Sequence, residues 1–422
     1  MLLQFSVENF LSFKEKNVFS MLPTADKAHG ENIITSGDAK AINTAVVYGA
    51  NASGKSNLFS AMGISIMLLR SSNLRQINEI MPVTPFKFSE DSYKQPSFFE
   101  YIFIAKDNKK YVYGFSVTQE KVIDEYLYKY NSRRPSVIFE RKNTVEYEFP
   151  VTQKKQLEPL TQWNSENKFF ISTATMWNAE STKSAFEWLS SCFDTLSEIQ
   201  VVQNIALSIF KNDISEKKYI DFTKELLKNT DINISDISIN MKTINNNDLG
   251  FGFLPRLMIN NPYANTVEKY EFEIVTDHIV KEGNKQKHYK LNLMEESLGT
   301  QQLFYFAPLL KTTFEKGSVL LIDELDRSLH PHVVKYLVNM FRDEKINKNG
   351  AQLIATTHDT TLLDLDLLRR DQIFFVEKQA DTGVSDVFPL ADFSVRKSDN
   401  IEKAYLIGRY GAVPYIKGED RV

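Results

Sequence analysis

The sequence predicts an α/β fold with a mixed sheet, an antiparallel β region and an inserted, mostly helical domain. Three observations support this class. A short apolar run at 45–48 leads into a glycine-bearing loop and then into a helical pattern over 57–69. Strand-like runs separated by polar turns fill 86–148, and apolar residues between 151 and 290 recur at three- and four-residue intervals.

These patterns divide the chain into three predicted domains. Residues 1–150 form an N-terminal lobe with the glycine loop and the antiparallel β region, 151–290 an inserted helical or mixed domain, and 291–422 a C-terminal lobe. A chain of 422 residues with 42% hydrophobic residues is long enough for two to three average domains and a substantial core.

Composition excludes several classes of protein. Apolar runs such as Val319–Ile322 are far shorter than the roughly 18 residues that a membrane span needs, and the N-terminus lacks the pattern of a secretory signal. The single cysteine, Cys192, rules out an internal disulfide framework and a cysteine-cluster metal site. We therefore expect a cytoplasmic protein without membrane contact.

Charge leaves the question of nucleic-acid binding open. The net charge of −4 argues against a wholly basic surface, although a local patch can coexist with such a total. The densest basic neighbourhood consists of Arg133, Arg134, Arg141 and Lys142. We interpret it as a solvated face of the β region, because acidic residues are interleaved with it.

The glycine loop carries the first chemical motif. Residues 49–56 match the phosphate-binding pattern G-x-x-x-x-G-K-[ST] between a predicted strand and a predicted helix. Glycines let backbone N–H groups turn toward phosphate oxygens, Lys55 is expected to neutralise the β- and γ-phosphates, and Ser56 offers a hydroxyl to Mg²⁺. The nucleotide-binding residues predicted here are Gly49, Asn51, Gly54, Lys55, Ser56 and Asn57. The expected cofactors are ATP and Mg²⁺.

A second motif opens a predicted helix near residue 298. Residues 296–302, Glu-Ser-Leu-Gly-Thr-Gln-Gln, are similar to a degenerate ABC signature motif, whose consensus is roughly Leu-Ser-Gly-Gly-Gln. Ser297 and Gly299 fit its spacing loosely, and Thr300 replaces the second glycine. The serine hydroxyl and the positive end of the helix would bind the γ-phosphate of a nucleotide held by another subunit.

Two further motifs follow apolar strands. The apolar run Val319–Ile322 is followed by Asp323 and Glu324, which is the pattern of a Walker B motif. Asp323 is predicted to be a Mg²⁺ ligand, and Glu324 is predicted to polarise the attacking water. Residues 325–331 resemble the D-loop that follows a Walker B motif. A strand over 352–357 ends at His358, which is typical of a switch histidine that hydrogen-bonds the γ-phosphate.

The order of these motifs favours an ABC-type P-loop ATPase head. Any one of them could arise by chance, but phosphate loop, signature, Walker B with D-loop and switch histidine occur in the required sequence. Gln95 is the nearest candidate for the switch-loop glutamine, with a plain surface-loop residue as the alternative. Glu324 and His358 are the predicted catalytic residues.

The region 151–290 contributes helices rather than motifs. One amphipathic helix is predicted from the spacing of Ala185, Trp188, Leu189, Cys192, Phe193, Leu196 and Ile199. A second is predicted from Phe222, Leu226 and Leu227. Cys192 lies on the apolar stripe, so we interpret it as a buried thiol rather than a nucleophile.

With these motifs in place, the chain resembles the RecF-like and SMC-like branch of ABC ATPases. Within that branch it is similar to the AbiLi/RloA-type AAA ATP-binding proteins of bacterial anti-phage defence. Residues 7–13 resemble the opening strand and its Asn-Phe-x-Ser-Phe element, with Leu11 where many relatives have arginine. Residues 396–405 and 408–414 resemble the closing segment of that family.

The resemblance implies three function classes. The first is a sensor or regulatory ATPase that controls a separate effector, for which a Toprim-type nuclease is the candidate. The second is a DNA-repair or chromosome-maintenance ATPase that binds DNA directly. The third, an ATPase with its own C-terminal Toprim nuclease, is disfavoured because the chain after His358 is shorter than an ordinary domain. The first is preferred over the second.

The motifs also predict assembly. The chain holds one phosphate loop and one signature, so two copies are expected to meet head to tail, as a dimer or within a higher oligomer. The 151–290 insertion and the tail over 396–416 are the predicted docking regions for an effector. For the tail, simple packing of Tyr405, Leu406 and Tyr410 onto the ATPase core is the alternative.

Overall fold

The computed structural model describes residues 1–196, 199–213, 215–230, 233–244, 255–261 and 266–414. The chain divides into two compact units. Unit 1 comprises Met1–Thr195, Lys316–Leu325 and Val338–Val422, of which 415–422 lie outside the described part, and unit 2 comprises Leu196–Glu315 and Asp326–Leu337. No helix among the described residues is long and apolar enough to cross a membrane. The predicted α/β class, with an antiparallel region and helical segments, is confirmed.

The first 150 residues fold mainly as strands around one long helix. The strands are β1 (Leu2–Glu8), β2 (Asn17–Ser20), β3 (Ile33–Ser36), β4 (Ala39–Ile42), β5 (Thr44–Tyr48), β6 (Ser97–Ile104), β7 (Lys110–Val117), β8 (Val122–Tyr130), β9 (Pro135–Lys142) and β10 (Glu146–Glu148). The helices are α1 (Lys55–Ser71) and α2 (Glu90–Tyr93).

An antiparallel sheet of order β10-β9-β8-β7-β6-β1-β2 forms the β region of unit 1. The predicted strands over 98–105, 111–117, 125–130 and 137–141 correspond to β6, β7, β8 and β9, so this prediction is confirmed. Side chains on a strand alternate between faces, and β6 buries Phe99, Tyr101 and Phe103 on one of them. This face belongs to the main hydrophobic core.

Residues 151–195 belong to unit 1, whereas the predicted inserted domain began at 151. They form α3 (Val151–Leu157), α4 (Phe170–Met176) and α5 (Glu180–Ser191), followed by β11 (Phe193–Leu196). The buried carboxylate of Glu125 on β8 accepts hydrogen bonds from the backbone N–H groups of Phe170 at 2.6 Å and Ile171 at 3.0 Å. Because this contact satisfies donors at the start of α4, it joins the helical segment to the sheet.

The helix predicted through Ile199 ends earlier. Its periodicity holds over Ala185, Trp188 and Leu189, which are buried in α5, but the helix stops at Ser191. Cys192 is buried, as predicted, and its carbonyl accepts a hydrogen bond from the Val319 N–H at 2.8 Å. Pairing with the strand that begins at Val319 therefore draws the next residues into β11 rather than into a longer helix.

Unit 2 holds an antiparallel sheet that the sequence did not predict. Its elements between 199 and 316 are α6 (Ile199–Asp213), α7 (Lys218–Asn229), β12 (Ile234–Ile244), β13 (Arg256–Asn261), β14 (Thr266–Glu282), β15 (Lys285–Asn292) and α8 (Leu298–Lys316). The helix predicted from Phe222, Leu226 and Leu227 is α7 and is confirmed. In the sheet, β14 pairs with β12, β13 and β15, so it is the central strand.

The C-terminal part completes a second sheet in unit 1. The strands and helices of the chain after α8 are β16 (Val319–Ile322), α9 (Pro331–Arg342), β17 (Gln352–Thr356), β18 (Ile373–Lys378), β19 (Ser385–Pro389) and α10 (Ile401–Leu406). The sheet has the order β11-β16-β17-β5-β18-β19, and β16, β17, β5 and β18 are parallel. The carboxyl ends of parallel strands meet at one edge, which is where ligands bind in open α/β sheets.

The predicted basic face is corrected in one residue. Arg133, Arg134 and Lys142 are exposed, but Arg141 is buried. Its guanidinium donates to the carbonyls of Thr144, Lys168 and Glu166 and lies 3.9 Å from the Glu125 carboxylate. Arg141 therefore stabilises the segment before α4 from the interior and does not belong to a surface patch. Its planar guanidinium carries five N–H donors and can bond several carbonyls at once.

Candidate nucleotide-binding site

The phosphate loop lies between β5 and α1. β5 ends at Tyr48, and α1 begins at Lys55 with Gly54 as its N-cap. Gly54 has φ = 115°, a conformation that glycine adopts at little cost and other residues rarely adopt. No side chain caps this end of α1 through a hydrogen bond, and the N-terminus of a helix favours an anion.

Two glycines make room for the loop to close on itself. A Cβ atom on Gly49 would lie 2.5 Å from both the Ser53 hydroxyl and the Val376 carbonyl oxygen. On Gly54 it would lie 2.6 Å from the Ser385 hydroxyl. Larger residues at either position would clash with these atoms, so the close packing of the loop depends on glycine at both.

Lys55 folds back over the loop. Its side chain is buried, and the ammonium donates to the carbonyls of Gly49 at 2.7 Å and Ala50 at 3.1 Å. A buried ammonium held by carbonyls keeps its hydrogens directed into the loop, where phosphate oxygens are stronger acceptors. Asn51 in the loop and the hydroxyl-bearing Ser56 are both exposed, so both are accessible to a ligand.

The Asn-Phe-x-Ser-Phe element after β1 and the strand β19 both contact the region of the phosphate loop. The Asn57 amide donates to the Ser12 hydroxyl at 2.7 Å, and the Ser385 hydroxyl donates to the Ser53 carbonyl at 2.6 Å. Asn9 anchors the same element, since its amide donates to the carbonyls of Ser92 and Gln95. The serine of the Asn-Phe-x-Ser-Phe element thus contacts the residue pair that follows Lys55, whereas the asparagine attaches the element to the segment before β6.

Asp323 and Glu324 follow the fully buried strand β16, next to the end of β17. The hydroxyl of Thr356 donates to Asp323 Oδ1 at 2.5 Å and accepts the Glu324 N–H at 2.7 Å. The Leu325 N–H donates to the Thr356 carbonyl at 2.9 Å. These bonds hold Glu324 at φ = 56°, an uncommon conformation for this residue type, with its side chain exposed.

Thr356 is a supporting residue that sequence reasoning missed. In the sequence it is the first of two threonines after an apolar run, and only the pairing of β16 with β17 brings its hydroxyl to the two acids. A polar residue at the last position of a buried strand, one strand away from an Asp-Glu pair, is the signal that could have identified it.

His358 lies two residues beyond β17, exposed at the same sheet edge. The segment after it is fixed by two contacts. The Tyr48 hydroxyl donates to the Asp359 carbonyl at 2.9 Å, and the Thr360 hydroxyl donates to the Glu402 carboxylate at 2.5 Å. The switch segment is therefore tied both to the strand before the phosphate loop and to α10 of the tail.

The tail packs onto unit 1 through its aromatic residues. Tyr405 and Tyr410 are buried, with ring centroids 5.5 and 5.6 Å from that of Phe375 on β18, whereas Leu406 is 60% exposed. Packing onto the core is thus confirmed for the two tyrosines and wrong for Leu406. The end of the predicted docking tail, residues 415 and 416, lies outside the described residues.

The predicted signature residues lie in unit 2 and the phosphate loop in unit 1. Ser297 directly precedes α8, and its hydroxyl accepts the Thr300 N–H at 3.2 Å, as an N-cap does. A Cβ on Gly299 would lie 2.6 Å from the Ser328 carbonyl oxygen, so glycine is required for the contact with the D-loop. Ser297 is exposed, and Leu298 is 71% exposed.

The remaining candidate, Gln95, is exposed at the turn before β6. Its backbone carbonyl accepts a hydrogen bond from the Asn9 side chain. The candidate residues of unit 1 that lie on adjacent strand ends or the loop between them are Gly49, Asn51, Gly54, Lys55, Ser56, Asn57, Asp323, Glu324 and His358.

Comparison with solved structures finds SMC head domains and a recombination mediator protein. The SMC head domain from Thermotoga maritima is 13% identical and covers 92% of this chain and 98% of its own, with a TM-score of 0.41. An SMC head from Pyrococcus furiosus bound to the C-terminal domain of ScpA is 14% identical, covering 97% and 98%, with a TM-score of 0.40. The recombination mediator RecF with ATP is 16% identical, covering 92% and 97%, with a TM-score of 0.36.

No curated protein matches the chain in sequence. A family model does match it, over residues 45–364, from β5 and the phosphate loop to beyond His358. The model is described as "AAA domain, putative AbiEii toxin, Type IV TA system". Since the match covers most of the chain, including the phosphate loop, the Asp323–Glu324 pair and His358, this protein belongs to that family of ATP-binding, ABC-like P-loop ATPases.

Proposed function

We propose that the chain binds Mg²⁺·ATP at the phosphate loop and hydrolyses it. The observation that carries this proposal is the convergence of the loop, the two acids and His358 on neighbouring ends of β5, β16 and β17. Lys55 and the N–H groups of residues 49–56 bind the phosphates, Asn57 supports the loop, and Glu324 polarises the attacking water. His358 donates a hydrogen bond to the γ-phosphate.

The magnesium ligands on this chain are Ser56 and Asp323. Both supply the oxygen atoms that Mg²⁺ prefers, and Asp323 is oriented by the Thr356 hydroxyl. A bound Mg²⁺ would neutralise charge that develops on the phosphate oxygens.

The active form is a head-to-tail pair. Ser297 is exposed at the start of α8, a 19-residue helix whose N-terminal N–H groups and dipole favour an anion. The strongly exposed Leu298 beside it fits a surface that a second copy covers. Each site would then take its loop from one copy and Ser297 and Gly299 from the other.

In the cell, this cytoplasmic ATPase controls a separate effector in anti-phage defence. The family description refers to a toxin and a TA system, which agrees with a partner polypeptide. The tie between Thr360 and Glu402 gives a route from the nucleotide to the tail, since the segment after His358 and α10 are bonded. A Toprim-type nuclease is the candidate effector.

Co-expression with the product of the neighbouring gene tests this role. We expect a complex whose stability changes between ATP and ADP, and loss of phage resistance when either gene is deleted. A Lys55→Ala chain should fail to support resistance. If no complex forms with any nucleotide and deletion of the neighbour leaves resistance unchanged, effector control is wrong. Salt-dependent binding of the purified chain to DNA would then favour direct action on DNA.

A further inference from the structure

We propose that His278 and Thr276 are positioning residues for ATP hydrolysis. They act through Glu296 on Ser297, the signature serine of the same chain, which contributes to the nucleotide site of the neighbouring subunit. The inference rests on the proposed function, because it concerns the composite site formed by two copies. It assigns a task to the sheet of unit 2, which the motifs do not use: the central strand of that sheet sets the position of the signature loop.

Glu296 is fixed at both its side chain and its backbone. Its Oε1 atom accepts a hydrogen bond from the Thr276 hydroxyl at 2.5 Å and lies 2.7 Å from His278 Nε2, which donates because an ionised carboxylate can only accept. The backbone carbonyl of Glu296 accepts the Gln301 side-chain amide at 2.9 Å. Its side chain is only 8% exposed, so these partners replace water.

This anchor acts on the next residue along the chain. Ser297 caps α8, and its hydroxyl is 2.9 Å from that of Thr300. When Thr300 donates to it, the hydrogen of Ser297 is free for a phosphate oxygen. The other side of the loop is limited by the close approach of Gly299 to the Ser328 carbonyl. With Glu296 held, the position of the serine hydroxyl is determined from both sides.

The anchor itself is rigid because it is part of a central strand. In β14, Thr276 pairs with Ile237 on one side and Leu291 on the other. Thr276 and His278 share one face of the strand, since alternate residues point the same way. The intervening Asp277 points to the opposite face, where it pairs with His288 at 3.1 Å. The His288 side chain is 59% exposed, so this pair is a matched control.

Steady-state kinetics give the first test. We expect His278→Leu to lower kcat by about 10- to 100-fold, the effect of losing one hydrogen bond to a charged group. His278→Gln, which keeps an N–H donor, should recover most of the loss, and His288→Leu should leave kcat unchanged. Thr276→Val removes only a hydroxyl and gives an independent reading if His278→Leu does not fold. ATP affinity should stay at the wild-type value, because Lys55 belongs to unit 1.

Subunit mixing gives the second test. A Glu324→Gln chain has a defective Walker B motif but an intact signature, so it should complement His278→Leu, whose own phosphate loop is intact. Chains are mixed before ATP is added. We expect about a quarter of the wild-type rate, because half of randomly formed pairs are mixed and each holds one complete site. Ser297→Ala mixed with Glu324→Gln is the reference for a signature defect.

The outcomes separate the inference from the proposed function. If Ser297→Ala complements and His278→Leu does not, or if His278→Leu keeps the wild-type kcat, the positioning role is wrong while the composite site stands. If Gln at 278 is as slow as Leu, the hydrogen bond is not the cause and the inference also fails. If neither variant complements, the head-to-tail site itself is wrong and the inference falls with it.

Discussion

The proposed roles of Lys55 and Glu324 concern different steps, ATP binding and ATP hydrolysis. In the proposed site Lys55 binds ground-state phosphates, so we expect Lys55→Ala to abolish ATP binding. The proposed role of Glu324 is on the attacking water, so Glu324→Gln should bind ATP normally and hydrolyse it about 10²–10⁴-fold more slowly. Equilibrium binding of a fluorescent ATP analogue and steady-state phosphate release measure the two effects. Glu344→Gln, at an exposed acid, is the control. Wild-type turnover by Glu324→Gln would refute the Walker B assignment.

Thr356 supports both acids through one hydroxyl. Replacing it with valine keeps the shape but leaves Asp323 Oδ1 and the Glu324 N–H without this partner, so we expect kcat to fall and the free energy of unfolding to drop by about 1–3 kcal/mol. Thr356→Ser should preserve both. The comparison is with Thr44→Val on the adjacent strand β5.

Thr44 is a matched control because its buried hydroxyl has no hydrogen-bond partner among the described residues. Valine there adds a buried methyl group at no polar cost, so stability should stay equal or rise. Thermal unfolding of the three variants measures this difference. Equal losses at 356 and 44 would mean that the Thr356 hydroxyl has no special role.

Among the secondary-structure elements, α4 depends on the buried carboxyl of Glu125. Burial raises the pKa of Glu125 above its ordinary value, opposed by the charge of Arg141 and by hydrogen bonds from Ile171 and Phe170. A raised pKa in the folded state gives a contribution to stability that is present below the unfolded pKa and lost as the pH rises through the folded pKa. Relative to Glu125→Gln, the wild-type protein should therefore gain stability as the pH is lowered.

The pKa of Glu140, on the neighbouring strand β9, is shifted in the opposite direction. A hydrogen bond from Lys142, 2.9 Å away, and one from Tyr128 lower its pKa. The wild-type advantage over Glu140→Gln should be present above the unfolded pKa and lost as the pH falls through the folded pKa. Chemical denaturation from about pH 3 to pH 8, a range that extends to both sides of the ordinary glutamate pKa of 4.5, measures both differences. Parallel pH trends for the two variants would show that burial does not control Glu125.

The tail offers a comparison between neighbouring residues of α10. Tyr405 is 7% exposed and packs against Phe375 and Tyr48, whereas Leu406 is 60% exposed. We expect Tyr405→Ala to cost about 3–5 kcal/mol, the usual loss for a buried aromatic side chain, and Leu406→Ala to be nearly neutral for folding. Denaturant unfolding tests this. If Leu406→Ala also weakens the complex with the effector, the tail is a docking element.

For the assembled protein, the expected unit of activity is a pair of chains. Lys55→Ala and Ser297→Ala are each defective alone, but a mixed pair holds one complete site, formed by the loop of the Ser297→Ala chain and the signature of the Lys55→Ala chain. An equal mixture should therefore regain about a quarter of wild-type turnover. Sedimentation with ATP should show the dimer. A fully active monomer would contradict this assembly.

Much of the ATPase core could be predicted because its signals are local. The phosphate loop is a run of eight residues whose backbone needs glycine at given positions, and Gly54 has the positive φ that this requires. Strands β6–β9 show apolar alternation, and α7 shows helical spacing. Each of these depends on residues within a few positions along the chain.

The remainder depends on contacts between distant parts of the chain. Phe193 has a helical spacing from Leu189, yet it forms β11 because the β16 strand, over a hundred residues later, offers it a hydrogen-bonding edge. Arg141 looks like a surface base but is buried against Glu125 and the carbonyls near α4. The supporting roles of Thr356 and Glu296 depend on the tertiary structure, which brings Thr356 on β17 next to Asp323 and brings Thr276 on β14 next to Glu296. Hydrogen bonding and burial are satisfied over the whole fold, so residues like these are assigned by long-range pairing and not by their neighbours in sequence.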